Sequence, residues 1–146
     1  MPNAIDLLHE ARRQVDALFA EYDEGSDGTV VDRITTTLTR HNQLEERVIY
    51  PTVRERLPEG PVLAADAHRA HEIIKSLLAE AEDSTPLALP DVVDELRVVV
   101  RRQAEIEESM LIPRLRQVMG NAALERLGAA VEQERAIMLA TSDPGC

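Results

Sequence analysis

The chain has 146 residues, 44% of them hydrophobic, and a formal net charge of −11. That length suits one domain, 1–146, able to bury roughly 70% of the surface its unfolded form would expose. The acidic balance excludes a nucleic-acid partner, because phosphate binding requires a basic surface. No apolar run approaches the ~18–20 residues of a membrane-spanning helix, and the N-terminus has no signal-peptide pattern.

The aromatics number only three, Phe19, Tyr22 and Tyr50, and the apolar remainder is mostly Leu, Val, Ile and Ala, which favours packed helices over a sheet. One cysteine, Cys146, leaves no partner for an internal disulfide, so a free thiol in a reducing cytoplasm is expected.

Breakers divide the chain. "DEGSDG" (23–28) and "EDSTPLALPD" (82–91) read as loops, "LPEGP" (57–61) as a tighter turn, and Gly120–Asn121 as a further break. Helices are predicted over about 3–22, 29–57, 62–82, 91–119 and 121–141, with Asp91 an N-cap and 142–146 a flexible tail.

The first four stretches carry seams at three-and-four spacing. These are Ile5–Leu8–Arg12–Val15–Phe19–Tyr22, Ile34–Leu38–His41–Glu45–Val48, Ala64–Ala67–His71–Ile74–Leu78, and Leu96–Val99/Val100–Gln103–Glu107–Met110. Each is apolar at its ends and polar in its middle. Four such helices on short connections predict an all-α, up-down-up-down four-helix bundle over 3–119 with a short additional C-terminal helix at 121–141. Leu124, Leu127, Val131 and Ile137 on that last helix leave a homodimer open.

The two halves repeat. "HNQLEERVIYP" matches "QAEIEESMLIP", setting His41 opposite Gln103, and "LFAE" matches "LLAE", setting Arg12 opposite His71. Imidazoles and carboxylates at a common level inside a bundle suit iron, zinc or manganese. Any one of these residues alone would read as an ordinary core or surface group. A registered polar cluster, however, must be paired or metal-bound. Glu46 and Glu108 read as members of a solvated face, and Pro51 and Pro113 as a kink or helix end.

"DLLHEARRQVDALF", "HNQLEERVIYP", "HRAHEIIKSLL" and "QAEIEESMLIP" resemble the four motif helices of the hemerythrin-like, or HHE cation-binding, domain family, over about residues 3–119. The resemblance implies a four-helix bundle around a non-heme, oxo-bridged di-iron site, with metal ion and a small diatomic molecule as ligands. Family roles include oxygen binding, oxygen or redox sensing, peroxide and nitric-oxide handling, and iron storage. Carried over by position, the ligands would be His41, Glu45, His71 and Glu107, with histidines also expected at 12 and 103. This chain has Arg12 and Gln103 there, one loss in each half.

An inward Arg12 would find Glu45 and Glu107 as partners and could replace the metal as counter-ion; alternatively it could snorkel sideways. His9 and His68, one turn before the motif positions, could form a displaced site with Glu45, His71 and Glu107. Three functional readings follow. They are a hemerythrin-like iron-binding protein with an altered or displaced site, a metal-free bundle held by an Arg12–Glu45/Glu107 cluster, and a di-iron peroxidase or nitric-oxide-handling enzyme. The second lost ligand weighs against the enzyme, since such chemistry needs two well-held irons and an open position.

Overall fold

The computed structural model describes residues 2–25 and 28–141, and all of its regular structure is helical. Helix α1 spans Ala4–Gly25, α2 Gly28–Leu44, α3 Tyr50–Arg56, α4 Gly60–Asp83, α5 Leu89–Ile106, α6 Ile112–Val118 and α7 Asn121–Thr141. Part of the 23–28 loop, the 142–146 tail and Cys146 fall outside the described residues. Helix α1 packs against α2 and α7, and α4 against α3 and α5. No helix among the described residues is long and apolar enough to cross a membrane.

Local chemistry sets the helix ends. Asn3 and Asp6 cap α1 reciprocally: the Asp6 N–H donates to Asn3 Oδ1 at 2.9 Å and the Asn3 N–H to Asp6 Oδ2 at 3.1 Å. Gly60 lets the start of α4 lie directly on the Val53 backbone, where any Cβ would collide with the carbonyl. Asp91 is not the N-cap expected of it. Helix α5 begins at Leu89 with Pro90 in its opening turn, so Asp91 lies inside that turn, where its charge still complements the helix dipole.

The long second and fourth stretches are each interrupted by a five-residue π-helical segment, Glu45–Ile49 and Glu107–Leu111. The Tyr50 N–H donates to the Glu45 carbonyl and the Ile112 N–H to the Glu107 carbonyl, five residues back in both cases. Pro51 and Pro113 follow at once, residues with no N–H to continue an unbroken ladder. The extra residue in the turn moves the seam by one position. Met110, expected on it, is 56% exposed, while Leu111 is 1% exposed; likewise Ile49 is buried more deeply than Val48.

Two apolar clusters make the core. One holds Leu8, Leu44, Ala67, Leu111 and the inner face of α7; the other holds Val15, Leu38, Ile74 and Leu96. On each long helix the polar position falls between members of the two clusters: Arg12 between Leu8 and Val15, His41 between Leu38 and Leu44, His71 between Ala67 and Ile74. Leu124, Leu127 and Val131 are buried in the first cluster, leaving only Ile137 of the expected dimer face exposed. The apolar face of α7 is therefore covered from within the chain.

Candidate metal centre

Between the clusters four polar side chains are buried: Glu45, His71, Gln103 and Glu107. Glu45 and Glu107 open the two π-helical segments, where the widened turn sets a carboxylate against its counterpart across the bundle. His41, Glu45 and Glu107 each offer a donor atom within 4.8 Å of the others, the one such convergent group among the described residues. His41 Nε2 lies 3.5 Å from Glu45 Oε2. That oxygen is fully buried and accepts no hydrogen bond.

His71 is held at both ring nitrogens. Nε2 lies 2.9 Å from Glu45 Oε1 and Nδ1 2.8 Å from Glu46 Oε1. Burial disfavours its charged form, but the two carboxylates outweigh that and raise its pKa. With an acceptor at each nitrogen it donates from both, as imidazolium. Its Nε2 points at the carboxylate pair, but it is not a member of the convergent trio.

Across the site, the Tyr50 hydroxyl donates to Glu107 Oε2 at 3.0 Å and accepts from the Gln103 amide at 3.4 Å. Burial, then the charges of Glu107 and Glu45, push the Tyr50 pKa far up, so it remains a donor. Burial and the neighbouring Glu45 charge raise Glu107 well above the usual carboxylate range. Burial acts upward on Glu45 too, but His41, Glu107 and His71 together pull it down to about 2. The pair thus holds one charge and one proton, as two carboxyls pressed together in a dry interior must.

Arg12 does not reach Glu45 or Glu107. Its Nη1 lies 3.8 Å from Glu108 Oε1 and its Nε 4.0 Å from Asp16 Oδ2, with the side chain partly open to solvent. Of the two directions the sequence left open to Arg12, the structure shows the lateral one, and the alternative Arg12–Glu45/Glu107 cluster does not form. His9 and His68 do not converge on the pair either. His9 Nε2 lies 2.9 Å from Glu108 Oε1 and His68 Nδ1 3.0 Å from Glu46 Oε1, so both imidazoles pair with the outer carboxylates.

What sequence reasoning missed was the outer layer. Glu46 and Glu108, assigned to a solvated face, bind the basic groups of α4 and α1, and Tyr50 holds Glu107. The signal was present in the doubled "EE" and the proline six positions after its first glutamate, but the π-helical geometry behind it has no periodicity of its own.

A cavity of about 50 Å³ adjoins the carboxylates, lined by Arg12, His41, Glu45, Gln103, Glu107 and Glu108 among others. That is room for a cation with one or a few water-sized ligands, at roughly 10–15 Å³ each on this measure. Two buried carboxylates, an orphaned oxygen and a facing imidazole fit one hard-to-borderline transition-metal cation.

The chain matches no curated protein and no solved structure at significant similarity. Residues 3–115 match the family model described as the hemerythrin HHE cation binding domain. With so much of its length covered, this chain belongs to the hemerythrin HHE cation-binding domain family.

Proposed function

We propose that this protein binds iron in a reducing cytoplasm, as one hemerythrin-like domain with four helices in up-down-up-down order plus α7, and serves oxygen or redox sensing or iron handling. His41, Glu45 and Glu107 are the proposed ligands, with His71 as the fourth once its Nε2 has lost its proton. The observation that carries this reading is Glu45 Oε2, buried and without a hydrogen bond beside His41 and Glu107. A buried ionised oxygen in that state is costly unless a proton or a cation meets it.

A bound iron would supply Lewis acidity and one-electron redox chemistry. The chain's residues do the rest. Glu46, behind His71, fixes the ring so that Nε2 faces inward, the carboxylate–histidine arrangement that orients metal-binding imidazoles. Tyr50 and Gln103 fix Glu107. The apolar clusters above and below flank the carboxylates, and the adjoining cavity of about 50 Å³ is of a size to take a small diatomic ligand beside a cation.

The test is metal content after anaerobic loading with ferrous iron and desalting, read by atomic emission. Wild type should retain iron, and Glu45→Gln and Glu107→Gln should each lose it. Retention by both variants, or none by wild type, would remove this reading.

A further inference from the structure

The two sides of the carboxylate pair are not equivalent. On the α4 side His71 presents Nε2 to Glu45, with Glu46 behind it. At the equivalent position on the α1 side stands Arg12, drawn outward to Glu108, on whose Oε1 His9 also lies. The counterpart of His41 is Gln103, whose amide donates to Tyr50, and Tyr50 in turn donates to Glu107 Oε2. Protein donors thus already satisfy the Gln103–Glu107 side, while Glu45 Oε2 on the His41 side is left open.

We infer that the centre is a one-cation site: a single metal sits on the His41–Glu45 side, and Arg12, tied to Glu108 at the wall of the same cavity, keeps a second metal out. This inference rests on the metal-binding reading above and refines it. A di-metal centre does not fit these residues. A guanidinium cannot give up its proton to become a ligand, and it repels a dication brought to the cavity it lines. Arg12 thereby determines stoichiometry without touching the bound metal.

Anaerobic cobalt(II) loading distinguishes the two ideas, with stoichiometry from atomic emission, coordination from visible absorption, and folding checked by circular dichroism. Wild type should take up one cobalt per chain. Gln103→His alone should still take up one, because Arg12 remains. Arg12→His with Gln103→His should take up two, whereas Arg12→Lys with Gln103→His, which keeps the charge, should return to one. Two cobalts on wild type or on Gln103→His overturn the inference and leave metal binding intact; so does a folded Arg12→His/Gln103→His variant that stays at one. No cobalt on wild type overturns both. If the histidine double variant does not fold, the wild-type and Gln103→His stoichiometries still decide.

Discussion

Glu46 and Glu108 occupy equivalent positions in the two halves, and each gathers two basic groups onto its Oε1: His68 and His71 for Glu46, His9 and Arg12 for Glu108. The site therefore has two layers. The inner carboxylates, Glu45 and Glu107, face each other in the dry middle of the bundle, 1% and 8% exposed. The outer ones are half-buried and set the orientation or the charge of what surrounds the pair. The layout is the same in both halves while the residues it holds differ.

Glu46→Gln should weaken metal binding about tenfold or more, the scale on which partners of ligating histidines act. The amide cannot provide the anionic acceptor that His71 Nδ1–H now has at 2.8 Å. His68→Ala should change affinity by less than about threefold, since the side chain is 59% exposed and touches the site only through Glu46. This reverses the ranking expected from sequence, in which His68 mattered and Glu46 did not. Isothermal titration with zinc or cobalt would measure both; equal losses would contradict the layered arrangement.

Metal affinity should climb with pH. Burial and the Glu45 charge hold a proton on Glu107 above the ordinary range, and a cation must displace it. Each proton that the cation displaces, one from Glu107 and one from His71 Nε2, should add about a tenfold rise in apparent affinity per pH unit while that group is protonated in the free chain, with proton release detectable in buffers of different ionisation enthalpy. Stability of the free chain should move the other way. A carboxyl whose pKa is raised by folding contributes fully below the model-peptide value of 4.5 and loses that contribution as pH rises through its folded value. Glu45, lowered to about 2, contributes above 4.5 and loses that on acidification through its own folded value. Denaturant titrations across pH should therefore show an alkaline-side decline that Glu107→Gln abolishes.

Much of this was legible from periodicity. The apolar seams placed the helices to within a few residues and set His41, Glu45, His71, Gln103 and Glu107 at one level, because 3.6-residue spacing is a property of the chain itself. The positions read wrongly or passed over share a cause. Met110 and Glu46, whose placement differs from expectation, and Leu111 and Tyr50, to which the sequence reading gave no role, lie in or just after the π-helical segments, where one added residue shifts every later side chain. Arg12 was left open between two directions, and the structure shows the sideways one. Whether a long cation turns inward or slides between helices depends on a neighbour, here Glu108, from a distant part of the sequence.

Tyr50→Phe should destabilise the metal-free protein by about 1–2 kcal/mol, the scale of a buried acceptor losing its donor. Tyr50 gives Glu107 Oε2 its hydrogen bond and receives the Gln103 amide, so both lose a partner. The same bond favours ionised Glu107, so its loss should raise that pKa further and move the pH midpoint of metal binding upward. Unchanged stability and an unchanged midpoint would place Tyr50 outside the network.

Gly60→Ala should cost about 3 kcal/mol, at the upper end for overpacking. A Cβ there meets the Val53 carbonyl and the Arg54 backbone, which are fixed, rather than the end of a movable side chain. Gly120→Ala, with open space around its Cα, is the matched control. Urea midpoints for the two variants should separate clearly.

Metal binding should stabilise the whole bundle rather than one end of it. The polar layer lies between two apolar clusters, and its ligands come from helices that contribute to both, so a cation ties together what otherwise meets across an electrostatically strained interior. A ligand present at 100 times its dissociation constant, bound only by the folded chain, adds about 2.7 kcal/mol. For a chain of this size that corresponds to roughly 8 °C in thermal midpoint. Calorimetry with and without cobalt should show one cooperative transition displaced upward, reversed by chelator. In Glu107→Gln the midpoint should be insensitive to cobalt. A metal-dependent shift confined to one of two resolved transitions would mean that the clusters unfold separately and the cation belongs to only one of them.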